Sequence, residues 1–189
     1  MLIWLAIIAV TVFLDQITKY LTILYLKPID TQPLWEGVLH LTYVENTGAA
    51  FGMMKDSRWV FMIVSTVAII GILIYLFWKK PQSKLECLSL SFIVGGGIGN
   101  MIDRTLLGYV VDMIDFRLIN FAVFNVADSF VCVGAGLMVL YLILEMVKES
   151  KAEKAKKAAE TEATPEEASE SAEFAAESAV EPAEELSHE

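Results

Sequence analysis

The chain is poor in the residues that most enzymes use for chemistry. Its 189 residues include two cysteines, Cys87 and Cys132, and two histidines, His40 and His188. Both cysteines lie in apolar runs, so no disulfide framework or metal cluster is legible, and both are expected to be small core residues. His188 falls in a polar tail and His40 in an alternating stretch that reads as a strand. A serine–histidine mechanism therefore lacks its parts. His-Glu-x-x-His and Gly-x-Ser-x-Gly are both missing, which removes the zinc-peptidase and hydrolase-elbow signatures. No basic surface suited to nucleic acid is evident. Charge is scarce too, once the end of the chain is set aside. From Lys148 onward there are 13 acidic residues against five lysines, whereas the first 147 residues carry 11 acids and 9 bases. The net charge of −10 thus belongs mostly to the tail.

What the chain has in excess is hydrocarbon. Hydrophobic residues make up 56% and charged ones 20%, with a mean hydropathy of +0.54, where soluble domains average about 45–50% and about 25%. Four runs hold most of the excess: Leu2 to about Leu26, Trp59 to Trp78, Leu85 to about Ile102, and about Val126 to Val147. Each suits a bilayer core of roughly 30 Å at about 1.5 Å per helical residue. The expected fold is an all-α membrane protein of four transmembrane helices, residues 1–149, followed by an acidic tail, 150–189, without fixed structure. The first run lacks the basic start and small-residue cleavage site of a secretory signal, so it is read as a retained span.

Orientation follows from the lysines. Lys79, Lys80 and Lys84 fill the link between spans two and three, and five more follow span four. Placing these in the cytoplasm puts both termini inside and segments 27–58 and 103–125 outside. Leu39 to Val44 alternates with period two before the turn signal Asn46-Thr47-Gly48, and Tyr109 to Phe116 alternates again. These predict a small extracytoplasmic β-structure near the outer leaflet.

Ionisable groups cost at least about 2.5 kcal/mol each at the centre of a membrane helix, so their positions are informative. Asp15 lies roughly 21 Å from the inner end of span one, in the outer half. Asn100, Asp103 and Arg104 end span three, Asn125 and Asp128 begin span four, and Asp112 lies between. All converge on one depth. Helical spacing puts Asn100 with Arg104, and Asn125 with Asp128, on shared faces. Alternation points Asp112 and Asp115 to opposite sides of a strand, so the two do not serve one site. Asp15 and Lys19, at i,i+4, have the spacing of a plain structural ion pair, and Asp103-Arg104 could equally anchor the end of span three. Asp30, Glu45, Asp56 and Asp115 read as solvated loop charges. Gly95-Gly96-Gly97-Ile98-Gly99, inside a span, permits close helix contact and lacks the context of a phosphate loop. Two carboxylates that share a proton can activate water. A small transporter or proton relay is the alternative, but it needs polar groups at successive depths, and the inner halves of spans two to four are almost purely apolar.

Five blocks of residues complete the pattern: Asp15-Gln16 with Lys19; Asn46 to Gly52; Gly95 to Arg104; Val110-Val111-Asp112; and Phe124 to Ser129. In this order they resemble the motif blocks of the bacterial lipoprotein signal peptidases, or type II signal peptidases, over residues 1 to about 147. Met113 stands where that family commonly has Phe. The resemblance implies an inner-membrane aspartic endopeptidase, monomeric and without metal or cofactor. Its substrates would be prolipoproteins, cut immediately before a diacylglyceryl-modified cysteine, with membrane lipids as its surroundings and no nucleic-acid partner. It implies catalysis by Asp112 and Asp128, supported by Asp15, Lys19, Asn46, Gly48, Asn100, Asp103, Arg104 and Asn125.

Overall fold

Backbone amides find no water inside a bilayer, so an apolar run that crosses it closes its hydrogen bonds within a helix. A computed structural model of the chain describes residues 2–48 and 58–177, with side chains for all of these but 58 and 159–177. The order is α1 (Leu2–Leu21), β1 (Thr31–Trp35), β2 (Leu39–Asn46), α2 (Arg58–Trp78), α3 (Lys84–Leu106), β3 (Val110–Asp115) and α4 (Val126–Glu177). α1 runs on through one π-type turn, Thr22–Leu26. Four helical stretches are long and apolar enough to cross a membrane: Leu2–Leu26, Trp59–Trp78, Lys84–Leu106 and Val126–Ala158. Their outer faces carry large exposed apolar side chains such as Phe13, Ile63, Val67 and Val133. The four-helix membrane fold with a small sheet is the one observed.

Helices in lipid gain little from hiding apolar surface from one another, so close packing and polar contacts hold them together. The glycines of α3 provide the close packing. A side chain on Gly96 would collide with the Ala127 carbonyl of α4, and one on Gly99 with the Asp15 carboxylate of α1. These two positions set the approach of α3 to both neighbours. Ile8, Ile69 and Val94 bring α1, α2 and α3 together, and Leu76, Cys87 and Leu90 close the far end. There Ser83 caps α3 by accepting the Glu86 N–H at 3.3 Å, and Tyr75 donates to the Glu86 carboxylate at 2.5 Å.

The three strands form one antiparallel sheet in the order β1-β2-β3. Between β2 and β3 the register runs His40 to Asp115 and Leu41 to Ile114, slips, then continues Val44 to Asp112 and Asn46 to Val110. Val111 and Met113 pack on Leu26 at the end of α1. The pleat then turns Asp112 to the opposite face, where Asn46 on β2 is its diagonal neighbour. Met113 is buried in the cluster with Leu26 and Val111, on the face turned away from Asp112.

The chain forms two compact units, Met1–Tyr141 and Leu142–Glu189. In the second, the helix continues to Glu177 although the sequence reading expects no fixed structure beyond 150. Ala, Glu and Lys are strong helix formers, and Lys157 pairs with Glu153 one turn away at 2.7 Å. Residues 49–52 of the second motif block and Asp56 lie outside the described residues.

Candidate active site

Five elements, α1, β2, α3, β3 and α4, deliver polar side chains to the end of the bundle where the sheet is seated. They sort into a buried ion cluster and an open cleft.

The cluster is centred on Lys19. Its ammonium lies 2.9 Å from Asp15 Oδ2, 3.2 Å from Asp103 Oδ2 and 2.9 Å from Asn100 Oδ1. The three charged side chains are 0–4% exposed. Gln16 Nε2 bridges the two carboxylates at 3.1 Å each and also reaches the Gly99 carbonyl at 3.2 Å. The second Asp15 oxygen accepts the Ala127 N–H at 2.9 Å, and Asp103 Oδ2 accepts the Val111 N–H at 3.0 Å. One ammonium and one amide therefore tie α1, α3, α4 and β3 together. The i,i+4 pair anticipated for Asp15 and Lys19 is present, but Lys19 serves three partners. Asp103 is held by Lys19 and not by its neighbour Arg104.

The cleft has a volume of about 400 Å³. Asn46, Asn100, Arg104, Asp112 and Asp128 line it together with Val110, residues 121–124 and Cys132. Each oxygen of its two carboxylates has a fixed donor. Asp112 Oδ1 accepts from Asn125 Nδ2 at 2.7 Å and Oδ2 from Asn46 Nδ2 at 2.9 Å. Asp128 Oδ1 accepts from Asn100 Nδ2 at 2.7 Å and Oδ2 from the Asn125 N–H at 3.2 Å. The amides are themselves pinned: Asn125 Oδ1 accepts the Asp128 N–H at 2.9 Å, Asn46 Oδ1 accepts the Gly48 N–H at 3.0 Å, and Asn100 Oδ1 accepts from Lys19 and, at 3.0 Å, from Asn125. All these donors are neutral. Among the described residues no cation stands within 4.0 Å of Asp112 or Asp128. Asp112 is 1% exposed. Burial pushes its carboxyl up to about 6, against the hydrogen bonds from Asn46 and Asn125, and the neighbouring Asp128 charge adds to the rise. Two carboxyls lining one cleft, one of them with its proton affinity raised by burial, are groups suited to acid–base chemistry on water.

Residues 7–144 match the family model described as signal peptidase (SPase) II. The chain belongs to the signal peptidase II family. It is 55% identical over 129 residues to a lipoprotein signal peptidase of Caldanaerobacter subterraneus subsp. tengcongensis, covering 68% of this chain and 88% of that one. With the lipoprotein signal peptidase of Brevibacillus brevis it shares 43% identity over 141 residues, 75% and 95% of the two chains. A bacterial membrane enzyme solved at 2.3 Å superposes with a TM-score of 0.70 and 29% identity, over 76% of this chain and 88% of that one. Another, solved at 1.9 Å, gives 0.67 and 30%, over 74% and 91%.

This peptidase brings together every described residue that the sequence marked. Asp112, Asp128, Asn46, Gly48, Asn100, Arg104 and Asn125 meet at the cleft, and Asp15, Lys19 and Asp103 form the cluster behind it. Two readings need correcting. Cys132 is exposed and lines the cleft, while only Cys87 is buried; Cys132 is one helical turn from Asp128, and that i,i+4 spacing could have placed it. Asp115 is not a solvated charge: it is buried, accepting from Thr42 at 2.8 Å and paired with Arg117 at 2.9 Å. Glu45 is exposed, as the sequence suggested, and pairs at the surface with Lys27 at 3.0 Å. Sequence reasoning also left Gln16 without a role, although a carboxamide inside an apolar run, beside Asp15 and three residues from Lys19, was a legible signal.

Proposed function

We propose that Asp112 and Asp128 are the catalytic pair with which this signal peptidase removes the signal peptide from a prolipoprotein, cutting before the diacylglyceryl-modified cysteine. The observation that carries this is the difference between the four acids at this end of the bundle. Asp15 and Asp103 are neutralised by Lys19, whereas Asp112 and Asp128 are held by neutral amides and face the cleft. The first pair builds the fold, and the second keeps its proton chemistry.

In this reading a water sits between the two carboxyls, one protonated and one ionised, and the pair titrates as a unit. The ionised partner takes a proton from the water as its oxygen attacks the scissile carbonyl. The protonated partner gives its proton to the carbonyl oxygen. Collapse of the resulting tetrahedral diol breaks the C–N bond as the departing nitrogen is protonated. The asparagines hold both carboxyls still through these steps, so little reorganisation accompanies them.

The basic links after spans two and four support a topology with both termini cytoplasmic, which puts the cleft near the outer leaflet. Lipid-anchored cysteine fits that depth, because its acyl chains stay in the bilayer while the scissile bond enters the cleft. The enzyme acts as a monomer surrounded by membrane lipid, and residues from 150 onward form an appendage outside the peptidase domain. Asp112→Asn and Asp128→Asn should each abolish cleavage of a diacylated precursor in detergent while leaving protein yield unchanged. Full activity in either variant would refute the assignment, and cleavage by neither wild type nor variants would return the transport reading.

A further inference from the structure

The following rests on the peptidase reading above. Hydrolysis places OH on the acyl carbon and H on the nitrogen, and the C–N bond breaks. At neutral pH the acyl product ionises to a carboxylate and the amine product takes up a proton. Two charges thus arise where the substrate had none, in a cleft with two acidic groups. The new ammonium finds a counter-charge in the aspartate pair. The new carboxylate is repelled by that pair unless a cation faces it.

Arg104 is the one cation among the described residues that line the cleft. Lys19 lies behind Asn100, committed to Asp15, Asp103 and the Asn100 side-chain Oδ1. Among the described residues the Arg104 guanidinium makes two long hydrogen bonds, from Nη1 to the Asn100 main-chain carbonyl at 3.4 Å and from Nη2 to the Gly48 carbonyl at 3.5 Å, both at the outer limit of useful geometry. It lies over the Phe61 ring, 5.4 Å from its centre, within cation–π range. No described carboxylate comes within 4.0 Å of it. A guanidinium offers five N–H donors in a fork that matches a carboxylate. Here that fork is positioned, half-buried and almost unused.

We propose that Arg104 is a carboxylate-binding site, which receives the new C-terminus of the released signal peptide. Product is then held by a charge-assisted pair that the uncharged substrate bond cannot form, so Arg104 governs product release.

The test uses two synthetic signal peptides of one sequence, ending at the residue before the cysteine, one as the free acid and one as the C-terminal amide. Their binding to the full-length protein in detergent micelles is read by fluorescence anisotropy. The acid should bind at least about ten-fold more tightly, the scale of one charge-assisted pair. Arg104→Gln should erase that preference, and Arg104→Lys should keep part of it. Equal affinity of acid and amide for the wild type, no binding of the acid, or a preference that survives in Arg104→Gln would each overturn the proposal. The wild-type comparison needs no variant to fold. Cleavage of lipidated precursor by the same preparation reports on the peptidase reading separately: a preparation that cleaves but shows no acid preference refutes the carboxylate site alone.

Discussion

Lys19→Met is the most demanding perturbation of the buried cluster. It keeps the side-chain volume and removes one charge that two carboxylates share, at 2.9 and 3.2 Å. Asp15 and Asp103 then face each other across Gln16 with only amide donors. Removing one partner of a buried ion pair costs about 3–5 kcal/mol, because the survivor is left uncompensated. For a chain of this length that is a fall of about 6–20 °C in melting temperature, readable by thermal unfolding in detergent. Replacing the whole cluster should behave differently. Lys19→Met with Asp15→Asn and Asp103→Asn leaves no buried charge, so most of the lost stability should return. Activity should not return with it, since Lys19 also holds the Asn100 Oδ1 and thereby aims the Asn100 Nδ2 at Asp128. A single variant within about 1 kcal/mol of wild type, or a triple variant no more stable than the single one, would refute the reasoning.

Asn46→Ala removes a donor that favours the charged form of Asp112, so that carboxyl should titrate higher. If the pair works with one shared proton, kcat/KM of the wild type falls as pH rises through about 6, and a pH–rate profile of the variant should show that limb moved upward; a limb moved downward contradicts the assignment. Gly99→Ala pushes a methyl into the Asp15 carboxylate, whereas Gly136 has nothing within 4 Å. A thermal-shift series should show a loss of about 1–3 kcal/mol for Gly99→Ala and none for Gly136→Ala. Truncation after Lys157 should leave cleavage of lipidated precursor unchanged within a factor of a few, and a well-folded truncated enzyme that loses most activity would give the tail a partner. Incubation with a metal chelator should leave the rate unchanged.

The spans were legible because a bilayer imposes one solution on a run of about 20 apolar residues. The site was legible for a related reason: a polar residue at that depth needs a partner, so the polar residues had to find one another. Sequence spacing could not say which partner each acid would take. Asp15 and Lys19 share a helix and pair as spacing suggests, but Asp103 reaches Lys19 across α1 and α3 instead of its neighbour Arg104. That choice depends on Gly99 letting α1 come close, which is a tertiary fact. Asp115 misled for the same reason: Arg117 is only two residues away, but Thr42 meets it only once β2 pairs with β3. Cys132 misled through composition, because an apolar run on a helix has two sides and the cleft takes one.

The four acids show how one residue type is divided between structure and chemistry at a single level of the fold. A buried carboxylate with an ammonium partner is fixed in its charge and available only as a brace. Asp15 and Asp103 brace four elements, because each uses its second oxygen or lone pair on a backbone N–H of another element. A carboxylate held by amides keeps its geometry yet can still exchange a proton, since an amide donor stabilises charge by less than a full cation does. Asn100 and Asn125 are what allow the two pairs to sit side by side. Asn100 receives the lysine on its oxygen and presents its nitrogen to Asp128, so Lys19 orders the cleft side without neutralising it. Replacing Asn100 by aspartate should therefore be worse than replacing it by alanine. The aspartate would compete for Lys19, place a third acid beside Asp128 and offer that carboxylate no N–H, whereas alanine leaves room for a water to serve as donor. Residual cleavage by purified Asn100→Ala should exceed that of Asn100→Asp, and the reverse order would mean that the amide is not the link between the two halves of the site.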